Sequence, residues 1–135
     1  MESGQTHSSF VWHQLPAFLW AVLIFVSSSI PSERMPNFTF VRFDKAIHFT
    51  IYFLFAFFTY RALRYQNRYP LLSRHALLFT VLLIALYGAS DEFHQYFVPG
   101  RQADVFDLLA DTMGACFLVA GVWWKERFHH AVETD

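Results

Sequence analysis

Polar and apolar positions fall in long blocks along this chain, not in the two-residue rhythm of a half-buried strand. Apolar runs at residues 16–30, 46–63, 75–96 and 105–124 are divided by short segments rich in charge, proline and glycine. A hydrocarbon layer of ~30 Å takes about 20 helical residues at roughly 1.5 Å each, so runs of this length predict membrane-crossing helices. The expected fold is all-α, a four-span transmembrane helical bundle. The first run is the shortest and either extends back through residues 10–12 or makes a thin span. Pro16 suits its first turn and Pro31 follows its end. Residues 1–15 read as a short polar tail without the cationic start or small-residue cleavage site of a signal peptide. Residues 16–125 read as the membrane domain and 126–135 as a C-terminal tail.

Each later run carries its polar residues on one side. At about 100° per residue, Asp44, Lys45, His48, Tyr52, Phe55 and Thr59 share one face of the second helix. In the fourth, Asp104, Asp107, Asp111, Gly114, Leu118 and Gly121 form a stripe, the glycines reading as points of close helix contact. The third divides: Gly88, Glu92 and Gln95 lie together, while Tyr87, Ser90, Asp91 and His94 lie on another side. Pro99 and Gly100 then turn the chain and deliver Arg101. Ser27, Ser28 and Ser29 are expected to bond back to the preceding helical turn.

Loop charge orients the bundle. Arg61, Arg64, Arg68 and Arg74 crowd the loop between spans two and three, and Lys125 and Arg127 follow the fourth. These six stand against Arg34, Arg42, Lys45 and Arg101 at the other ends. Basic short loops stay cytoplasmic, so both termini are expected inside and the polar stretch 87–114 outside.

Composition agrees: 55% hydrophobic, 20% aromatic with 17 Phe, and 16% charged residues describe an integral membrane protein. A net charge of −1 with no basic stripe excludes a nucleic-acid partner. The one cysteine, Cys116, excludes an intrachain disulfide or a thiolate zinc site and reads as a small packing residue. No cofactor and no metal-ligand set is assigned.

The chemistry lies in the charges. Lys45 and Arg101 are two fixed cations facing Asp44, Asp91, Glu92, Asp104, Asp107 and Asp111. An unpaired ion in low dielectric costs several kcal/mol, so at least one acid must be protonated, solvated or bound to an outside cation.

Three blocks resemble the VanZ-like family of small bacterial membrane proteins: IFVSSSIP (24–31), DKAIHFTIY (44–52) and DEFHQYFVPGRQADVFDLLADTMG (91–114). The third is the most specific in its order of Glu, Gln, Arg, Asp and Gly. The family pattern maps onto Lys45, His48, Tyr52, Glu92, Gln95, Pro99, Arg101, Asp104, Asp107 and Gly114. It departs at Asp111, where the family is associated with Asn. The resemblance implies an envelope protein in the bacterial cytoplasmic membrane.

The expected function is binding, with Lys45, His48, Tyr52, Glu92, Gln95, Arg101, Asp104, Asp107 and Asp111 forming one polar pocket. Besides the lipid bilayer, the partner suggested by family analogy is a lipid-linked cell-wall precursor or other envelope molecule, with glycopeptide resistance linked by that analogy alone. The alternatives are an intramembrane enzyme, a small ion-coupled transporter, and a protein whose polar residues only staple helices. In the enzyme, Glu92 or Asp107 would be the base, His48 the proton partner and Arg101 the electrostatic stabiliser. None of the HExxH, GxSxG or phosphate-loop patterns is present.

Overall fold

The computed structural model describes the backbone of residues 3–34 and 44–132 and the side chains of residues 11–33 and 44–128. The chain is all-α: α1 (Ser3–Ser28), a 3-10 turn (Ser32–Arg34), α2 (Asp44–Arg64), the short α3 (Pro70–Arg74), α4 (Ala76–Gln95) and α5 (Val105–Val132). Most of the connector 32–43, with Arg42 and the Arg34 side chain, lies outside the described residues.

Four helices are long and apolar enough to cross a membrane: Val11–Ser28, Asp44–Arg64, Ala76–Gln95 and Val105–Phe128. Between 11% and 33% of each span is buried within the bundle, so most of its surface points outward. Phe18, Leu86 and Phe117 stand on that outer surface at 65%, 68% and 66% exposure. A soluble protein would not leave so much aromatic and aliphatic surface bare, whereas lipid tails solvate it.

Two element ends differ from the sequence expectation. Helix α1 begins at Ser3 and carries Pro16 in its interior, not in a first turn. Residues 10–12 therefore extend the span, and the chain before Pro16 is helical. At the other end α5 continues past Trp124 to Val132. Cys116 is exposed on α5, correcting its reading as a packing residue.

The bundle is built around α2, which packs against α1, α4 and α5, most extensively against α5. Tyr52, Phe55, Ala56 and Thr59 are its buried positions and meet Ile24, Ile84, Ala115 and Leu118 in one core. On α4 the buried residues Ala76, Thr80, Ile84, Gly88, Asp91, Glu92 and Gln95 recur every three or four positions, as one face of a helix does.

Gly114 makes the tightest crossing. A Cβ there would lie 2.6 Å from the Phe49 carbonyl oxygen and 2.9 Å from the Phe53 nitrogen, so only glycine allows α5 to touch the α2 backbone. Gly121, expected to act likewise, faces open space, with nothing within 4 Å of a Cβ there. Among the described residues, hydrogen bonds tie α1 to the rest: Trp20 Nε1 donates to Ile51 O at 3.0 Å, and the Tyr87 hydroxyl donates to Ala21 O at 2.6 Å.

The turn between α4 and α5 lies outside the spans and docks on the end of α1. Gly100 adopts φ +75°, and a Cβ on it would overlap the Ser32 side chain. The Ser32 N–H donates to Pro99 O at 3.4 Å. This brings the C-terminal ends of α1 and α4 and the N-terminal ends of α2 and α5 to one end of the molecule.

Candidate functional site

At that end the polar side chains form two adjoining groups joined through His48. The first is an ion-pair network between α2 and α5. Lys45 Nζ bonds both Asp104 and Asp107. One turn on, His48 Nδ1 lies 3.0 Å from Asp111 Oδ1, and its Nε2 lies 4.0 Å from Asp107 Oδ2. The spacing 45, 48 on α2 against 104, 107, 111 on α5 sets cation opposite carboxylate along the crossing.

Asp104 also caps α5. Its Oδ1 accepts the Phe106 N–H at 2.8 Å, satisfying a donor that the first turn of a helix cannot. The Lys45 ammonium, and after it the Phe106 N–H, hold the Asp104 carboxyl below the usual carboxylate range. From α4, Glu92 Oε2 accepts the Asp104 N–H at 2.7 Å and links the third helix to this cap.

Burial here is deep for ionisable groups. Asp91, Glu92 and Asp107 are 5%, 6% and 6% exposed, and Asp111 is fully buried. Gly88 makes room for Asp111, since a Cβ at Gly88 would lie 3.1 Å from Asp111 Oδ2. Two buried carboxylate oxygens, Glu92 Oε1 and Asp111 Oδ2, have no hydrogen-bond partner among the described residues. Such an orphaned acceptor carries a desolvation cost of about 1–3 kcal/mol, more when charged, so it marks a place where a partner belongs.

The second group lines a cavity of about 370 Å³ among α1, α2, α4 and the turn carrying Arg101. Its apolar lining is Trp20, Leu23, Ile24, Ile47 and Ile51. Its polar lining is Ser27, Ser28, Asp44, His48, Tyr52, Asp91, Gln95 and Arg101. Asp91 Oδ2 accepts from the Tyr52 hydroxyl at 3.2 Å and from Gln95 Nε2 at 3.1 Å. The Ser27 and Ser28 hydroxyls bond back to Leu23 O and Phe25 O, as their positions at a helix end suggested.

Of the nine residues singled out in the sequence, His48, Tyr52, Gln95 and Arg101 line the cavity. Lys45, Glu92, Asp104, Asp107 and Asp111 form the network behind it. Sequence reasoning counted Asp91 and Asp44 among the acids of this end but left them out of the pocket, whose lining includes both. The helical wheel set Asp91 apart with Tyr87 and His94, but α4 is covered by α1, α2 and α5, so its buried arc is wide enough to take Asp91 in. The signal available was its place four residues before Gln95. His94 does stay apart: its Nε2 lies 2.9 Å from the Ser29 hydroxyl and its ring packs on Phe25.

A comparison with curated proteins matched nothing, and neither did one with solved structures. A comparison with family models matched the one described as VanZ/LLP1 over residues 10–126, which takes in all four spans and every residue of the network and the cavity. With that match over most of its length and four helices able to cross a membrane, the chain is a multi-pass membrane protein belonging to the VanZ/LLP1 family.

Proposed function

We propose that the cavity binds a cell-envelope molecule with an apolar portion and a polar head, of which a lipid-linked cell-wall precursor is the example suggested by family analogy. The observation that carries this reading is the mixed lining. Isoleucine, leucine and tryptophan side chains from α1 and α2 offer a surface for a hydrocarbon. The Arg101 guanidinium suits phosphate or carboxylate, while Gln95, His48 and the acids suit hydroxyls and amides. About 370 Å³ is at the low end of ligand sites, enough for a head group or a short length of chain and too little for a whole lipid. The rest of the molecule would lie in the bilayer.

The charge bias of the loops supports placing Arg61, Arg64, Arg68, Arg74, Lys125 and Arg127 at the cytoplasmic face of a bacterial membrane. Both termini are then inside and the cavity opens at the outer face. Reporter fusions near Arg68 and near Arg101 test this orientation, and reversed signals would refute it.

The ligand is tested by native mass spectrometry of protein extracted with its own lipids. A retained mass that is lost in Arg101→Ala and in the cavity-filling Ile47→Trp, with both variants inserted and abundant, supports binding. A mass kept by both variants moves the ligand elsewhere. Degradation of both favours a purely structural role for these residues. An enzymatic reading draws on one observation, the His48–Asp111 pair at the cavity edge, since a carboxylate behind an imidazole is a common acid-base arrangement. Conversion of the retained molecule over time, abolished by His48→Gln with retention intact, would favour it over binding alone.

A further inference from the structure

Behind the cavity, three side chains from three helices converge: His48 of α2, Glu92 of α4 and Asp111 of α5. Each offers one donor atom, and the three lie within 4.8 Å of one another. Two of the three residues supply the orphaned oxygens, Glu92 Oε1 and Asp111 Oδ2, and both are more than nine-tenths buried. Interhelical stapling explains one oxygen on each carboxylate, through the Asp104 N–H and His48, and leaves the other without a reason.

The charge count sharpens this. Even with His48 counted as charged along with Lys45 and Arg101, the four buried carboxylates Asp91, Glu92, Asp107 and Asp111 outnumber these three cations, and Lys45 is shared with the partly exposed Asp104. A surplus of negative charge in a site this dry calls for a bound cation or for protons.

We propose that His48, Glu92 and Asp111 bind one divalent transition-metal ion. An imidazole nitrogen with two carboxylate oxygens is a donor set for Zn²⁺ or Mn²⁺ and less so for Mg²⁺ or Ca²⁺, which prefer oxygen throughout. The His48 Nδ1 to Asp111 Oδ1 separation of 3.0 Å is already that of neighbouring donors on one ion, which at bond lengths of about 2.1 Å stand roughly 3.0–3.5 Å apart, and a bidentate Asp111 carboxylate would bring its orphaned Oδ2 to the same ion. Glu92 closes the remaining distance by side-chain rotation, and its second oxygen keeps the Asp104 N–H. With Nδ1 given to the metal, the imidazole proton sits on Nε2, facing Asp107 Oδ2 at 4.0 Å. That is an ion-pair distance and not a hydrogen bond, so Asp107 acts on the imidazole through its charge.

A neighbouring trio, Asp44, His48 and Asp107, has similar spacing. It is the poorer candidate, because Asp107 is held by Lys45 and Asp44 is exposed. The metal site does not depend on what fills the cavity: an ion bound by protein that retains no lipid leaves this inference standing and removes the proposed function.

The test uses full-length protein in lipid nanodiscs, stripped with a chelator and titrated with Mn²⁺. Free Mn²⁺ is followed by electron paramagnetic resonance, Zn²⁺ competes, and elemental analysis gives stoichiometry. The expected result is one ion per chain, a raised unfolding temperature on metal addition, and affinity at least tenfold weaker in Glu92→Gln and Asp111→Asn, far less weakened in Asp44→Asn, and unchanged in Glu126→Gln at the opposite end. Folded wild-type protein that binds no ion, with an unfolding temperature indifferent to metal and chelator, would overturn the proposal and leave protons to neutralise the acids. Loss of binding in Asp44→Asn with retention in Glu92→Gln would overturn it in favour of the neighbouring trio. Because wild type decides the first question, a variant that fails to fold does not shield the proposal.

Discussion

The two ends of the bundle use similar residues to opposite effect. At the end near the loop that carries α3, Arg64, Arg68, Arg74, Lys125, Glu126 and Arg127 are all exposed. Their contacts are loose. Arg68 lies over Tyr69 at 5.6 Å, Arg127 over Trp123 at 4.8 Å, and the Tyr60 hydroxyl reaches Glu126 Oε1 only at 3.5 Å. At the other end four carboxylates are buried, Asp91, Asp107 and Asp111 held by side chains of α2 and Glu92 by the Asp104 N–H. A charge that keeps its water costs little and contributes little, whereas a charge that gives it up must find partners in fixed places. Solvation, not residue type, separates a membrane-interface charge from a candidate site. Substitutions should therefore be graded by end.

The largest difference is expected between two glycines of α5. Gly114→Ala drives a Cβ into backbone of α2 that cannot swing aside, and should cost about 3 kcal/mol or abolish folding. Gly121→Ala meets nothing and should be neutral or slightly stabilising by helix propensity. Unfolding in mixed micelles with increasing sodium dodecyl sulfate measures both, and equal midpoints would mean that the helices do not cross at Gly114.

Next comes Lys45→Met, which keeps the stem and removes the charge that Asp107 faces. A broken buried pair costs about 3–5 kcal/mol. Lys45 is 42% and Asp104 40% exposed, so solvent screens part of this loss and about 2 kcal/mol is expected. Arg64→Met, at the opposite end, should stay within about 0.5 kcal/mol of wild type. If both change the midpoint alike, the contrast between the ends fails.

Much of this was legible in the sequence for a physical reason: helical rotation is fixed, so residues sharing a face in the one-letter string share it in space. Lys45, His48 and Tyr52 on α2, and Asp107, Asp111, Gly114 and Leu118 on α5, fell on the faces that pack together. Rotation cannot tell how wide a buried arc is, or how close a neighbour comes at one position. Asp91 was left out because the cover over α4 is wide, and Gly121 was included because nothing in its type reveals that the space beside it is open. Nor can a wheel divide one polar group into a cavity and a network behind it. That division depends on which helix stands opposite, and α1, which supplies Trp20, Leu23 and Ile24 of the apolar lining, carries no Asp, Glu, Lys or Arg within its span to announce it.

Within the polar end, neutral and charged contacts should differ too. Tyr52→Phe removes the hydroxyl that Asp91 accepts from and keeps the bond from Gln95, so about 1–2 kcal/mol should be lost. Chemical unfolding of Tyr52→Phe, Asp91→Asn and the double variant would reveal the coupling. Additive losses would mean that the bond contributes nothing of its own.

The smallest expected effect lies at the edge of the polar end, where Asp104 belongs to the network yet meets solvent. Its folded pKa is depressed from the ordinary 3.8 by Lys45 and by the Phe106 N–H. A depressed value adds stability that is complete above the unfolded pKa and is lost as pH falls through the lower folded one. Asp104→Asn isolates that contribution, because asparagine caps a helix about as well as aspartate but has no charge for Lys45. Unfolding temperatures of wild type and Asp104→Asn, taken from pH 6 downward, should be separated by a constant margin until about pH 4 and converge below it. Groups common to both proteins cancel in the difference between them. Glu126→Gln, the matching change at the solvated end, should leave stability at neutral pH within about 0.5 kcal/mol of wild type. A margin for Asp104→Asn that persists unchanged into acid would show that the carboxylate acts through its cap alone and that Lys45 spends its charge on Asp107.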